Sequence, residues 1–363
     1  MKEINVSLGE RSCKILAGAR LDDLGVSVKK HVLYKGLPPG KALIITNPAL
    51  KALARIAAKS LLRARIVSSE VLIPAGERSK NLRSVEKLYH VCVRENMDRS
   101  SCIVALGGGV IGDMAGFAAA TYLRGISLVQ VPTTLLAMVD SGIGGKTGVD
   151  LPEAKNFVGA FYQPKLVLTD PRTLETLPER EFISGMAEVI KYGVISDAKL
   201  FRTLENFSPY SAGSAKLPEI IFRCAKIKAD VVSKDERETK GLREALNFGH
   251  TIGHAVETLT EYKTYKHGEA VALGMCAAGH ISRMLGIWNA EDSIRMENLI
   301  SAAGLPVRLR KPLSAEKALR VIFRDKKTQS GELRFVLPVR IGKVIVRKIT
   351  AKIALKGFEY IRS

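Results

Sequence analysis

The chain has 363 residues, more than one hydrophobic core usually organises, so two domains are expected. With 46% hydrophobic and 25% charged residues it has the balance of a folded globular protein, which excludes a disordered one. A net charge of +20 admits a nucleic-acid-binding module. However, the lysines and arginines are scattered and the densest cluster, Arg308-Leu-Arg-Lys311, lacks interleaved aromatics, so a basic surface with a site for anionic substrates is preferred and no nucleic-acid partner is expected.

The first half alternates strand-like and helix-like segments. Residues 41–46 read as a buried strand ending at Asn47-Pro48, followed by an Ala/Leu/Lys-rich helix. Val71 to Pro74 reads as a second strand, then a loop (Ala-Gly-Glu-Arg-Ser-Lys) and a helical period over 81–96. Ser101–Leu106, Leu128–Val131 and Leu166–Thr169 read as three more strands. This repetition predicts an α/β domain over 1–177, a parallel sheet with helices on both faces. The character changes near 177–179. Residues 178–363 read as a mainly helical domain, with a small hairpin over 333–348. No apolar run is long enough to span a bilayer, and 270–279 reads as a buried helix. The five cysteines form no Cys-x-x-Cys pair and the start shows no apolar signal segment; a cytoplasmic protein is expected.

Three stretches carry chemistry. Gly107-x-Gly109-x-x-Gly112 follows the third strand and opens a small-residue helix, which fits a dinucleotide fingerprint; a tight turn with no ligand fits equally. It sits on a late strand, and no acidic residue follows near 132, so a nucleotide here is expected to be held differently from the usual Rossmann case. The loop Val131-Pro-Thr133-Thr134 to Lys146-Thr-Gly offers paired threonines and a glycine-flanked lysine to anionic oxygens. It is not a P-loop, because Asp140 stands where the first glycine belongs. In the second half, Arg243, Asn247, His250 and His254 are spaced by four, three and four residues, one face of one helix if the segment is helical. Glu188 and Lys191 are three apart on another helix, either as a solvated pair or as part of a site. Three of the six histidines (His250, His254 and His267) lie within eighteen residues. A carboxylate with two imidazoles is a frequent catalytic zinc set, and His250 and His254 can both be ligands. His-Thr-Ile-Gly-His lacks the glutamate base of a zinc protease, so peptide hydrolysis is not expected.

From about residue 40 to 340 the chain resembles the sugar phosphate cyclase family, and within it the 3-dehydroquinate synthases. The resemblance rests on Gly-Gly-Gly-Val-Ile-Gly-Asp (107–113), Tyr-Leu-Arg-Gly (122–125), Val-Pro-Thr-Thr-Leu-Leu-Ala-Met-Val-Asp-Ser (131–141), Gly-Gly-Lys-Thr-Gly-Val (144–149), Lys155-Asn156 and Gly-Ala-Phe-Tyr-Gln-Pro (159–164). In the second half it rests on Ala-Glu-Val-Ile-Lys-Tyr-Gly (187–193), Asp-Glu-Arg-Glu (235–238), Asn-Phe-Gly-His-Thr-Ile-Gly-His (247–254), His-Gly-Glu-Ala-Val (267–271) and Arg-Asp-Lys-Lys (324–327).

The resemblance implies a Rossmann-like NAD-binding domain followed by a metal- and substrate-binding domain. It implies catalytic NAD, a divalent metal (usually zinc, with cobalt possible) and a homodimer. The implied reaction converts the seven-carbon sugar acid phosphate DAHP to 3-dehydroquinate plus phosphate, by transient oxidation of a hydroxyl, phosphate elimination, re-reduction and intramolecular aldol closure.

Carried over residue by residue, the resemblance makes Glu188, His250 and His267 the metal ligands and His254 a polar partner of substrate. Lys146, Asn156, Lys191, Lys228, Arg243, Asn247 and Lys326 would hold carboxylate, hydroxyls and phosphate, with Asp140 and Glu238 as further acids and Arg124 reaching a neighbouring subunit. NAD contacts would come from Gly109, Val110, Gly112, Asp113, Glu77, Lys80, Thr133 and Thr134. Lys146 and Lys155 would lie near the nicotinamide, with Asn47, Thr173, Leu174, Glu175 and Thr176 as further contacts. The chain departs from the family at Ala75, at 151–154 and by one extra residue between Glu238 and Arg243. Competing readings are a sister cyclase acting on another sugar phosphate and a metal-dependent polyol dehydrogenase. Lys146, Asn156, Lys191, Arg243 and Lys326 together favour an anionic substrate over a neutral polyol.

Overall fold

Strands form where β-branched and aliphatic residues run unbroken, because a central parallel strand is covered on both faces. The structure, a computed structural model, describes residues 1–206, 211–325 and 332–362. Its strands are β1 (Lys2–Val6), β2 (Cys13–Ala17), β3 (Lys41–Thr46), β4 (Val67–Leu72), β5 (Cys102–Gly107), β6 (Ser127–Pro132), β7 (Lys146–Leu151), β8 (Ala154–Phe161), β9 (Leu166–Thr169), β10 (Glu332–Arg340) and β11 (Lys343–Thr350). Its α-helices are α1 (Leu24–His31), α2 (Lys51–Arg63), α3 (Leu82–Arg94), α4 (Gly109–Thr121), α5 (Glu179–Ile195), α6 (Ala198–Glu205), α7 (Leu217–Lys234), α8 (His250–Leu259), α9 (His267–Met284), α10 (Ala290–Ala302), α11 (Ala315–Asp325) and α12 (Ala351–Arg362).

The chain divides into two compact units. The first is Met1–Leu177 with Leu217–Arg237; the second is Pro178–Lys216 with Glu238–Ser363. Assigning all of 178–363 to the second domain therefore needs correction at α7. That helix buries Ala225, Ala229 and Val232 against Ile4, Val6, Ile15 and Val167 of the first unit's sheet. An amphipathic helix must cover an apolar face, and this one covers a sheet whose last strand ends at Thr169, well before α7 begins at Leu217.

The first unit holds a seven-stranded sheet in the order β1-β2-β9-β6-β5-β3-β4. Strand β1 runs antiparallel to β2, and the other neighbours are parallel. Period-two alternation splits β3 between two cores: Ala42 and Ile44 pack with α1 and α2, while Leu43 and Ile45 pack with α3 and α4. β3 connects outward to β4, and the chain then crosses to β5 on its other side. This reversal falls between β3 and β5, and open α/β sheets bind ligands at the carboxyl ends of the strands beside such a point. Strand β4 starts at Val67, four residues before the expected Val71, because Ser68, Ser69 and Glu70 of this half-exposed edge strand mask its pattern. Strands β1 and β2 and the β7–β8 hairpin add to the strands expected from the sequence, and residues 146–148, expected in a loop, begin β7.

The second unit is helical, with the hairpin β10–β11. Helix α9 is buried along most of its length. A Cβ on Gly268 would lie 1.8 Å from the Ser184 carbonyl oxygen of α5, and one on Gly274 would lie 1.8 Å from the Gly249 carbonyl oxygen. Glycine at those two positions therefore sets how closely α9 meets α5 and the start of α8. Among the described residues, no helix is long and apolar enough to cross a membrane.

Candidate functional site

In the second unit, Glu188 sits mid-way along α5 with no exposed surface. A lone buried carboxylate is costly, so its surroundings must compensate for it. Lys191, one turn on and also buried, forms an ion pair with it. His250 opens α8 and His267 opens α9, and both present Nε2 to the same carboxylate oxygen. Glu188 Oε1 lies 3.4 Å from His250 Nε2 and 3.7 Å from His267 Nε2. The opposite ring nitrogens are also held: His250 Nδ1 is 3.1 Å from the Phe248 carbonyl oxygen, and His267 Nδ1 is 3.3 Å from Glu257 Oε1.

Burial opposes charge on both rings. For His250 burial prevails, helped by the Lys191 charge, and its pKa falls well below the ordinary value. For His267 the hydrogen bonds and charges of Glu188 and Glu257 overcome burial and raise the pKa to about 10. The donor chemistry fits a divalent cation. A carboxylate and two imidazoles, with ligand atoms within 4.8 Å of one another, are the set that zinc or cobalt accepts, and a cation at Nε2 would replace the His267 proton.

His254 lies one turn along α8, exposed, its ring 5.5 Å from that of His250 and 6.3 Å from that of His267. Arg243 is buried, with Nε 3.2 Å from Glu238 Oε1, and Asn247 is exposed at the end of the same short turn. The expectation that Arg243, Asn247, His250 and His254 share one helix is corrected. Leu242–Asn247 is a 3₁₀ turn, Phe248 leaves the helical conformation (φ -56°, ψ 124°), and Gly249 adopts φ 82° before α8 begins. Only glycine takes that conformation freely, and a Cβ there would also strike Val271 and Met275 of α9. Lys326 lies outside the described residues.

In the first unit, β5 runs through Gly107 and Gly108 directly into α4, whose first residue is Gly109. A Cβ on Gly108 would meet Thr134 Cγ2 at 3.0 Å, one on Gly109 would meet Ser141 Oγ at 3.0 Å, and one on Gly112 would meet Gln130 Oε1 at 2.9 Å. Bare backbone at the amino end of a helix, beside Val110 and the β6-end threonines Thr133 and Thr134, fits a pyrophosphate. Asp113 follows one turn into α4 and pairs with Lys80 at 2.6 Å. Lys80 Nζ also donates to Asn156 Oδ1 at 2.5 Å. Burial lowers the Lys80 pKa, but the Asp113 charge more than restores it and leaves the ammonium above its ordinary value.

Lys155 lies 3.5 Å from Glu77. Lys146 begins β7 and is exposed, and Lys228 of α7 donates to Asp140 Oδ1 at 2.7 Å. Asn47, Lys80, Gly109, Thr133 and Thr173 all follow the carboxyl ends of sheet strands. Some of these side chains are engaged locally: Asn47 Oδ1 accepts from the Ala49 amide, Thr173 Oγ1 donates to the Asp170 carbonyl, and Thr176 Oγ1 donates to the Thr173 carbonyl. Leu174 is buried and Glu175 exposed. Arg124 is exposed, with φ 65° after Leu123 at φ 50°.

Sequence reasoning passed over Glu257 and the Phe248 carbonyl. Glu257 had a signal: it lies seven residues after His250 and three after His254, on their side of α8.

A parallel-sheet unit with a nucleotide cradle and a helical unit with a carboxylate–imidazole cluster define an enzyme of the sugar phosphate cyclase class. The chain is similar to a solved 2-deoxy-scyllo-inosose synthase in complex with carbaglucose-6-phosphate, NAD+ and Co2+: TM-score 0.87, 26% identity, 99% of each chain covered. It is equally similar to a solved 2-epi-5-epi-valiolone synthase of Streptomyces hygroscopicus with NAD+ and Zn2+ bound: TM-score 0.87, 26% identity, 98% of each chain. Models of the 3-dehydroquinate synthase N-terminal and C-terminal regions match residues 70–184 and 185–328. A 3-dehydroquinate synthase of Nostoc sp. is 52% identical, over 94% of each chain. The chain belongs to the 3-dehydroquinate synthase family.

Proposed function

We propose that the chain converts DAHP to 3-dehydroquinate and phosphate, using NAD and a divalent metal. The observation that carries the reading is the cluster in which His250 and His267 both turn Nε2 toward buried Glu188. Relatives about 50% identical over nearly the whole chain support DAHP over the substrates of the 26%-identical cyclases.

When bound, NAD supplies a reversible hydride acceptor and the metal supplies Lewis-acid polarisation of a substrate hydroxyl. Glu188, His250 and His267 hold the ion. Lys191, ion-paired with Glu188, supplies a cation that a substrate anion can share, and Arg243 supplies a buried guanidinium suited to a planar carboxylate or a phosphate. His254, Asn247, Glu238, Asp140, Lys146, Asn156, Lys228 and Lys326 are proposed as further substrate contacts. The Gly108–Asp113 turn, Lys80, Thr133 and Thr134 orient the nucleotide; Glu77, Lys155, Asn47 and Thr173–Thr176 are proposed as outer contacts. Five buried free cysteines support a reducing, cytoplasmic setting. A homodimer is proposed on the exposed Arg124 turn.

The test supplies purified protein with DAHP, Co2+ or Zn2+ and sub-stoichiometric NAD. Many phosphates released per NAD without NADH accumulation are expected. NADH accumulation on glycerol-like polyols, with no phosphate release from DAHP, would instead identify a dehydrogenase.

A further inference from the structure

We propose that Glu257 is the positioning residue of the metal centre. It accepts a hydrogen bond from His267 Nδ1 and so fixes that ring with Nε2 facing the ion. This rests on Glu188, His250 and His267 being the ligand set.

A neutral imidazole carries one proton on either nitrogen, and only the bare nitrogen can bind a metal. In isolation the two tautomers are close in energy, so a ligand histidine needs a partner for its other nitrogen. His250 has one supplied by its own chain: the turn at Phe248-Gly249 directs the Phe248 carbonyl to Nδ1. His267 is the first residue of α9, and its Nδ1 instead faces Glu257 Oε1 at 3.3 Å. Glu257 is 8% exposed and two turns along α8, which packs against α9. The two ligands are thus oriented unequally, one by a neutral carbonyl and one by a carboxylate. The carboxylate adds negative charge behind the ring and makes Nε2 a stronger donor.

The same geometry contains a competitor. His254, Glu257 and His267 also bring ligand atoms within 4.8 Å of one another. An ion held there would make Glu257 a ligand and would leave Glu188 and His250 aside.

Co2+ is titrated into the metal-free protein and followed by its visible bands, for wild type, Glu257→Gln, Glu257→Ala, His254→Ala and His250→Ala. Positioning predicts one Co2+ per chain, about tenfold weaker binding in Glu257→Gln, and up to about a hundredfold weaker in Glu257→Ala with a changed band envelope. Glutamine keeps the acceptor and loses only the charge, so it also reports if the alanine variant fails to fold. NAD affinity should be unchanged in both. Wild-type Co2+ affinity in the Glu257 variants, with binding lost in His250→Ala, overturns the proposal and spares the ligand set. Unchanged binding in His250→Ala overturns the ligand set itself. A second Co2+ equivalent, or a loss in His254→Ala as large as in Glu257→Ala, makes Glu257 a ligand and also overturns the proposal.

Discussion

The cradle of the first unit and the cluster of the second solve opposite problems. The cradle is made of absence. Gly108, Gly109 and Gly112 leave out side chains that would meet Thr134, Ser141 and Gln130, and strand ends and a helix terminus supply the donors. The cluster is made of presence. Glu188, Lys191, Glu257 and His267 are ionisable groups placed in or beside a helical core, each held by another. A site made of backbone survives most side-chain changes nearby, provided that nothing is added. A site made of buried charge fails when any member is removed, because its partner is left uncompensated.

The contrast is broken most directly at His250. His250→Ala is expected to abolish Co2+ binding and to lower turnover by at least about a thousandfold, since only two of the three proposed ligands remain. Titration and phosphate release check this; full activity in the variant would remove His250 from the ligand set.

Next in size is the frame under the cluster. In Gly274→Ala the new methyl would sit 1.8 Å from the Gly249 carbonyl, forcing apart α9 and the turn that orients His250. A loss of about 3 kcal/mol is expected. Trp288, the only tryptophan and itself packed against Gly279 of α9, reports it in a denaturant titration. An unchanged midpoint would mean that the close approach is not required.

In the cradle, Lys80→Met alone leaves Asp113, about a fifth exposed, without its main cation, at a cost of about 1–3 kcal/mol. Lys80→Met with Asp113→Leu should recover most of that stability but not NAD affinity. If the double variant binds NAD as wild type does, Lys80 and Asp113 are structural.

The sheet was legible because both of its faces are buried: β3, β5, β6 and β9 are nearly continuous apolar runs. β4 was blurred because an edge strand tolerates Ser68, Ser69 and Glu70. The allegiance of α7 was not legible, since an amphipathic pattern says that a face is covered and not by what. Residue spacing alone made His250 and His254 equal candidates as ligands. In the structure His267, from another helix, shares Glu188 with His250, while His254 stands exposed beside them. The four-three-four spacing concealed the break at Phe248-Gly249, since glycine inside a helical pattern is tolerated and gives no sign of its sign of φ. Glu257 was overlooked because a glutamate on a helix is commonplace until its neighbour is known.

The smallest expected effect is in the first unit and depends on acid. Asp170, 3% exposed, follows β9 and accepts from Arg172 Nε at 2.9 Å and from the Leu21 amide at 2.8 Å. Burial raises its pKa, but the Arg172 bond and the Leu21 amide outweigh burial and hold it below the ordinary carboxylate value. A pKa lowered by folding means that the unfolded chain binds the proton more readily. The stabilisation is therefore complete above the unfolded value of about 3.9 and fades as pH falls through the folded value. Asp170→Asn removes this dependence. Its stability should fall less steeply than that of wild type below about pH 4, while lying modestly lower at neutral pH. Parallel acid-denaturation curves for the two proteins would show that Asp170 titrates alike in the folded and unfolded chain, and that its bonds to Arg172 and Leu21 hold shape without holding charge.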